Sequence, residues 1–166
     1  MVSLSNYLIA VGSFSKIREL ESVFLRESTE HEITIRELNK NHSIMTIEKT
    51  STSSADKKRN HFFKGWFTDP KSKSVVIGHE GFGYWFQEHG IPPSDPKSVF
   101  HGSYVCSIWD EKGLQLENDL FSMFPVIYFS EPDIFLASDS LYVLAHCRRI
   151  LNFDTSHNKS VLHARA

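Results

Sequence analysis

The chain has little cysteine: Cys106 and Cys147 are the only two in 166 residues. Two thiols cannot form the disulfide framework of a small secreted domain, and they fall short of the four ligands of a structural zinc site. Long apolar runs are also missing, and none approaches the roughly 20 residues that span a bilayer. The opening stretch MVSLSNYLIAVGSFSK has a short apolar run at Tyr7–Val11, no basic region before it and charged, helix-like sequence after it, which is not the pattern of a secretory signal. Charge of one sign is lacking too. Eighteen Lys and Arg face twenty Asp and Glu, a formal net charge of -2, so there is no broad positive field for nucleic acid. These absences lead to the expectation of a cytoplasmic protein with no membrane or nucleic-acid partner. In that setting the sequons at Asn41 and Asn158 carry no meaning.

What the chain does have is aromatic mass. Thirteen phenylalanines and 40% hydrophobic residues argue for a filled interior, and the length suits one domain with a real core. Tyr7–Gly12 reads as a buried strand. Ser13 or Ser15 can cap a helix over about 16–26, where Ile17, Leu20 and Phe24 recur at helical spacing. Ile33 and Ile35 alternate with polar residues, and Ile44, Thr46 and Ile47 suggest a further strand. Residues 50–60 are the most loop-like segment. His61–Phe67 and Ser74–Gly78 bracket a proline-containing turn, so they form a hairpin. The aromatic stretch Gly81–His89 reads as a helix ending at Gly90, and a loop over Pro92–Pro96 follows. Ser103–Trp109, Leu114–Glu117, Val126–Phe129 and Ile134–Ala137 read as strands. A helix capped by Ser138 or Asp139 then runs to about Arg149, with Leu141, Leu144 and Ala145 on one face. Four strands and a helix in so short a stretch suggest one antiparallel sheet covered by that helix.

Several groupings invite a chemical interpretation. Gly78–Gly83, GHEGFG, lies between a strand and a helix, but Phe86 occupies the place where a dinucleotide fingerprint needs glycine, so a strand-to-helix turn is preferred. His79, Glu80, Glu88 and His89 lack the i, i+4 spacing of two metal ligands on one helix face, and no metal is expected. Cys106 shares a strand face with Tyr104 and Ile108 and has no cation nearby in sequence, which is the setting of an inert thiol. Ser3, Ser5, Ser13 and Ser15 are assigned to capping and surface roles. Phe82, Tyr84, Trp85 and Phe86 form a dense aromatic cluster suited to packing, and they are also the candidate surface for a substrate or partner. Asp110 and Asp119 are better explained as turn residues that accept backbone amides than as an acid–base pair.

His101–Leu144 resembles the end of the class II glutamine amidotransferase domain of asparagine synthetases. Gly102, Trp109, Asp110, Asp119, Pro125, Tyr128, Ala137, Ser138 and Leu144 match that domain in order and spacing. The resemblance implies an α+β, Ntn-hydrolase-like αββα sandwich: two mostly antiparallel sheets flanked by helices. It also implies a nucleophile that this chain does not carry, since Val2 stands where the family has its catalytic cysteine. Asn118 stands where the family has arginine, and Phe63–Phe67 has no Asn-Gly pair for an oxyanion hole. β-Lactam synthetases and lasso peptide cyclases share the loss of the nucleophile and keep an ATP-dependent ligase domain, whose Ser-Gly-Gly-x-Asp loop does not occur in these 166 residues.

The expectation is therefore a single degenerate glutaminase-like domain over 1–166, either the N-terminal part of a longer ligase or free-standing. It would scaffold an asparagine synthase-related amide ligase or its peptide or acyl substrate and carry no catalytic residue. ATP and magnesium would belong only to a ligase domain attached or supplied in trans. The alternatives are a free-standing binding module and, third, a glutaminase with an unorthodox nucleophile.

Overall fold

The computed structural model describes residues 7–27, 31–49, 60–90, 100–119 and 123–154. Among them the order is β1 (Tyr7–Ser13), α1 (Phe14–Glu27), β2 (His31–Glu37), β3 (His42–Lys49), β4 (His61–Asp69), β5 (Ser74–Ile77), α2 (Gly78–His89), β6 (His101–Asp110), β7 (Gly113–Asn118), β8 (Ile127–Glu131), β9 (Ile134–Ser138) and α3 (Leu141–Ile150). The strands form a five-stranded sheet, β2-β3-β1-β9-β8, and a four-stranded sheet, β5-β4-β6-β7. Every pairing is antiparallel.

β1 is apolar at consecutive positions because it is central in its sheet and covered on both faces. Leu8 and Ala10 pack with Met45, Ile47 and Leu136 beneath Ile17, Leu20 and Phe24 of α1 and Val143, Leu144 and Cys147 of α3. Tyr7 and Ile9 point the other way, to Phe62, Val105 and Trp109 of the four-stranded sheet. The far face of that sheet, with Phe63, Phe67, Val76, Tyr104, Cys106 and Ile108, packs against Phe82 and Trp85 of α2. The chain is thus an α+β fold in which two antiparallel sheets face each other and carry helices on their outer surfaces. Each fully buried large side chain contributes about 1.5–3 kcal/mol through removal from water.

The C-terminal strands depart from the expected single sheet. β6 and β7 close one edge of the four-stranded sheet, while β8 and β9 belong to the five-stranded sheet. Alternation within a hairpin tells which side chains share a face, but not which sheet the hairpin joins. The chain changes sheet between Asn118 and Ile127. The last helix is also rotated from expectation. Ser140 is its N-cap, accepting from the Val143 amide, and Val143, Leu144 and Cys147 are buried while Leu141 is exposed. Ser138 instead donates to the Tyr7 carbonyl at 2.7 Å, and its oxygen is thereby committed to the β1–β9 junction. α2 begins at Gly78, three residues earlier than its aromatic pattern suggested. The expected loop over Pro92–Pro96, and all of that over 50–60 except Asn60, lie outside the described residues.

Candidate functional site

One end of the paired sheets gathers three of the residues that carry the sequence resemblance, Asp119, Pro125 and Ser138. β1 begins there with Tyr7, β9 ends there with Ser138, and β7 ends there with Asn118. The Tyr7 hydroxyl donates to the Pro125 carbonyl at 2.9 Å, tying the five-stranded sheet to the segment that follows β7. Burial, with the Asp139 carboxylate as a second cause, pushes the Tyr7 hydroxyl far above its ordinary range, so it is a fixed proton donor and not a base. Ser138 Oγ accepts from the Ser140 amide at 3.1 Å, and its own proton is directed to Tyr7. Asp119 is buried, and its carboxylate accepts the backbone amides of Tyr104, Met123 and Phe124.

The other matched residues are dispersed. Trp109 is buried between the sheets, and Gly102 lies where β4 and β6 approach too closely to admit a Cβ. Asp110 accepts the Lys112 and Gly113 amides at 2.8 and 3.1 Å in the β6–β7 turn. Asp110 and Asp119 stand at opposite ends of β7, about 20 Å apart for a strand of that length, so they do not form a proton-transfer pair.

A groove of about 350 Å³ opens beside this end, lined by Leu116, Glu117 and Asn118 of β7, Val126, Tyr128 of β8 and Phe135 of β9. Its volume falls within the range of small-ligand pockets, roughly 300–1,000 Å³. Ile127 and Phe129 pack toward the helices, so Tyr128 projects from the opposite face of β8, toward the space between the sheets. Tyr128 is 68% exposed there, and its ring stacks on Phe135 at 6.1 Å. The groove lies between the two sheets, with β7 of the smaller one on one side and β8 and β9 of the larger one on the other. Among its lining residues Tyr128 and Asn118 were singled out from sequence, Asn118 as a departure from the family pattern. The rest are ordinary strand residues whose grouping depends on which hairpin joins which sheet.

The aromatic cluster on α2 divides by helical phase. Phe82 and Trp85 are buried, Phe86 is partly covered and Tyr84 is 76% exposed. Phe82 and Trp85 therefore belong to the core and not to the substrate or partner surface expected for them, which leaves Tyr84 and part of Phe86 accessible. The Trp85 indole donates to Asp69 Oδ2 at 3.0 Å. Asp69 also accepts the Ser72 hydroxyl and the Lys71 amide. Burial alone would raise its carboxyl, but these bonds outweigh burial and hold it at about 2, against an ordinary 3.8. A carboxylate lowered by folding stabilises fully above about pH 4, and that contribution is lost as pH falls toward 2. Asp69→Ala is expected to cost about 2 kcal/mol at pH 7, because the buried indole loses its acceptor. Thermal melts should show the gap to the parent chain narrowing between pH 4 and pH 2. A gap that is the same at both ends would remove the carboxylate from the explanation.

Neither thiol is poised for chemistry. Cys106 and Cys147 are both buried. Burial pushes Cys147 up to about 12, and burial followed by the nearby Glu117 carboxylate pushes Cys106 up as well. Ser13 and Ser15 hydroxyls bond to each other at 3.3 Å, while Ser3 and Ser5 lie outside the described residues. His79 stacks on His61 at 4.9 Å and His89 on Trp85 at 5.0 Å, so the two helix-end histidines are engaged with different rings. Among the described residues no group of three or more His, Cys, Asp or Glu side chains is placed to hold a metal ion. No helix among them is long and apolar enough to cross a membrane. No protein-family model matches the chain, and no curated protein or solved structure matches it.

Proposed function

We propose that this chain is a non-catalytic, glutaminase-like domain of an asparagine synthase-related amide ligase, with an Ntn-hydrolase-like fold, that scaffolds the ligase or its peptide or acyl substrate in the cytoplasm. The observation that carries the proposal is the junction at the end of β1. Three of the matched residues, Asp119, Pro125 and Ser138, are used there to bind strand ends to one another: Pro125 and Ser138 contact Tyr7 directly, and Asp119 holds the segment that leads into Pro125. Matched residues that serve architecture are what a domain keeps when it retains a fold and loses its reaction. Both thiols are buried and held protonated, which agrees with a domain that performs no acyl transfer. ATP and magnesium would act in the ligase partner.

The chain incubated with glutamine is expected to release no ammonia, and Ellman's reagent should titrate its two thiols only after unfolding. Ammonia release by the pure protein, abolished with a rapidly reacting thiol, would replace the proposal with an active glutaminase. The coding sequence that follows Ala166 tests the ligase assignment: a Ser-Gly-Gly-x-Asp loop is expected within about one further domain length. The groove beside Tyr128 favours a second reading, a free-standing binding module. A downstream sequence without that loop, together with a small ligand that quenches Tyr128, would select it.

A further inference from the structure

Among the described residues the four-stranded sheet ends at β5, an edge strand of four residues. Its two faces differ sharply. Val76 is buried under α2, while Val75 and Ile77 on the opposite face are 59% and 68% exposed. Ile77 is paired with Trp66 of β4, itself 47% exposed, so three apolar side chains form a strip running to the open edge. Exposed apolar edge strands normally carry a device against pairing, such as a charge or proline within the strand. β5, Ser-Val-Val-Ile, has neither. Charges lie only beyond its ends: Lys71 and Lys73 in the turn before it, and Glu80 in the first turn of α2 after it, all exposed.

We infer that β5 pairs antiparallel with β5 of a second copy of this chain. In an antiparallel ladder, residues directly opposite each other share a face, so a two-fold axis must pass through a residue. An axis through Val76 sets Val75 of one copy opposite Ile77 of the other, twice, so each row across the four strands runs Trp66, Ile77, then Val75 and Thr68 of the second copy, and the two apolar strips lie side by side. The same register brings the basic turn of each copy, with Lys73, to the start of the other copy's α2, with Glu80. The edge is therefore self-complementary in both hydrophobicity and charge, and a second copy satisfies both at once. A four-residue ladder is small, so the pair is weak and reversible, in the class of interfaces below about 1,200 Å².

Sedimentation velocity over about 5–500 µM spans the affinities of such small interfaces and should show a monomer–dimer equilibrium. The variant Val75→Lys with Ile77→Lys changes only exposed side chains. It should keep the parent's circular dichroism and raise the dissociation constant by more than about tenfold, through loss of the apolar pairs and like-charge repulsion. Lys73→Glu or Glu80→Lys alone should weaken the dimer about 2- to 30-fold, from two surface ion pairs, and the double swap should restore it. A chain that stays monomeric at every concentration overturns the inference. A dimer that survives the double lysine variant, or one that the double charge swap fails to restore, overturns it as well.

Discussion

Asp119→Ala is expected to destabilise the chain by about 3 kcal/mol and lower its melting temperature by about 6–12 °C. The side chain is 2% exposed, and its two oxygens receive the amides of Tyr104, Met123 and Phe124 at 3.3, 3.1 and 3.4 Å. Its own amide continues the ladder by donating to the Tyr104 carbonyl at 3.0 Å. Alanine removes both oxygens and leaves all three amides without this acceptor. The Tyr104 amide lies in a buried bond and has no route to water, so it bears the full desolvation cost, while the part-buried amides of Met123 and Phe124 recover some solvent. Asparagine should fall between the two, because one oxygen remains while its amino group faces a donor. Urea unfolding of the three proteins measures this. A loss below about 0.5 kcal/mol, the size of an ordinary surface change, would show that the segment after β7 is held by something other than Asp119.

The effect should also be local in a way that exposes its mechanism. Asp119 sits where the chain leaves the four-stranded sheet, and Pro125, a few residues on, receives the Tyr7 hydroxyl of the five-stranded one. Releasing Asp119 should speed amide exchange at Tyr104, Met123 and Phe124 before it speeds exchange in the β1–β3 ladder. The groove beside Tyr128 shares Asn118 and Val126 with this crossing, so a variant loosened there should change the exposure of Tyr128 to quenchers at temperatures well below the melt.

How far these features could be read from sequence differed from one to the next. α1 shows its buried face openly: Ile17, Leu20 and Phe24 are spaced for one side of a helix, and all three are fully buried. The turn aspartate Asp110 is equally plain, because Asp followed by Gly three residues on is a local signal with a local outcome. The sheet assignment of β8 and β9 was hidden, because a hairpin's alternation is the same whichever sheet it joins. α3 misled because Cys147 was weighed only as a thiol; counted as an apolar residue, it shifts the buried face from Leu141 to Val143, Leu144 and Cys147. The α2 aromatics could have been sorted by phase: Phe82, Trp85, Phe86 and His89 follow the i, i+3, i+4, i+7 pattern and Tyr84 does not. The groove had no local signal at all, since its lining comes from strands of both sheets that are distant in the chain.

Gly102→Ala should be strongly damaging for a single methyl, at about 3 kcal/mol or more, with Gly102→Val failing to fold. Gly102 lies opposite Phe67 in the β4–β6 ladder. A Cβ there would collide with the Trp66 carbonyl oxygen and stand 2.5 Å from Phe67 Cα. Those atoms are backbone, held in the middle of a sheet with α2 packed over it, so they cannot swing aside as a side-chain tip would. Gly65 answers from the facing strand: at φ 111° its added Cβ would strike the Ser103 carbonyl oxygen and lie 2.8 Å from Tyr104 Cα. The two strands thus approach by leaving out a side chain on each, and either replacement forces them apart, disturbing Phe67 and Tyr104 together. Gly81→Ala is the control that separates this close approach from the general flexibility of glycine. It sits inside α2, where a Cβ would meet Val76 Cγ1 at an ordinary 3.8 Å. Helix propensity then predicts a gain of about 0.5–1 kcal/mol, opposite in sign to Gly102→Ala. Thermal melts of both variants decide the matter. Equal losses at the two sites would mean that added bulk near α2 is harmful in general, and the tight β4–β6 approach would no longer explain Gly102.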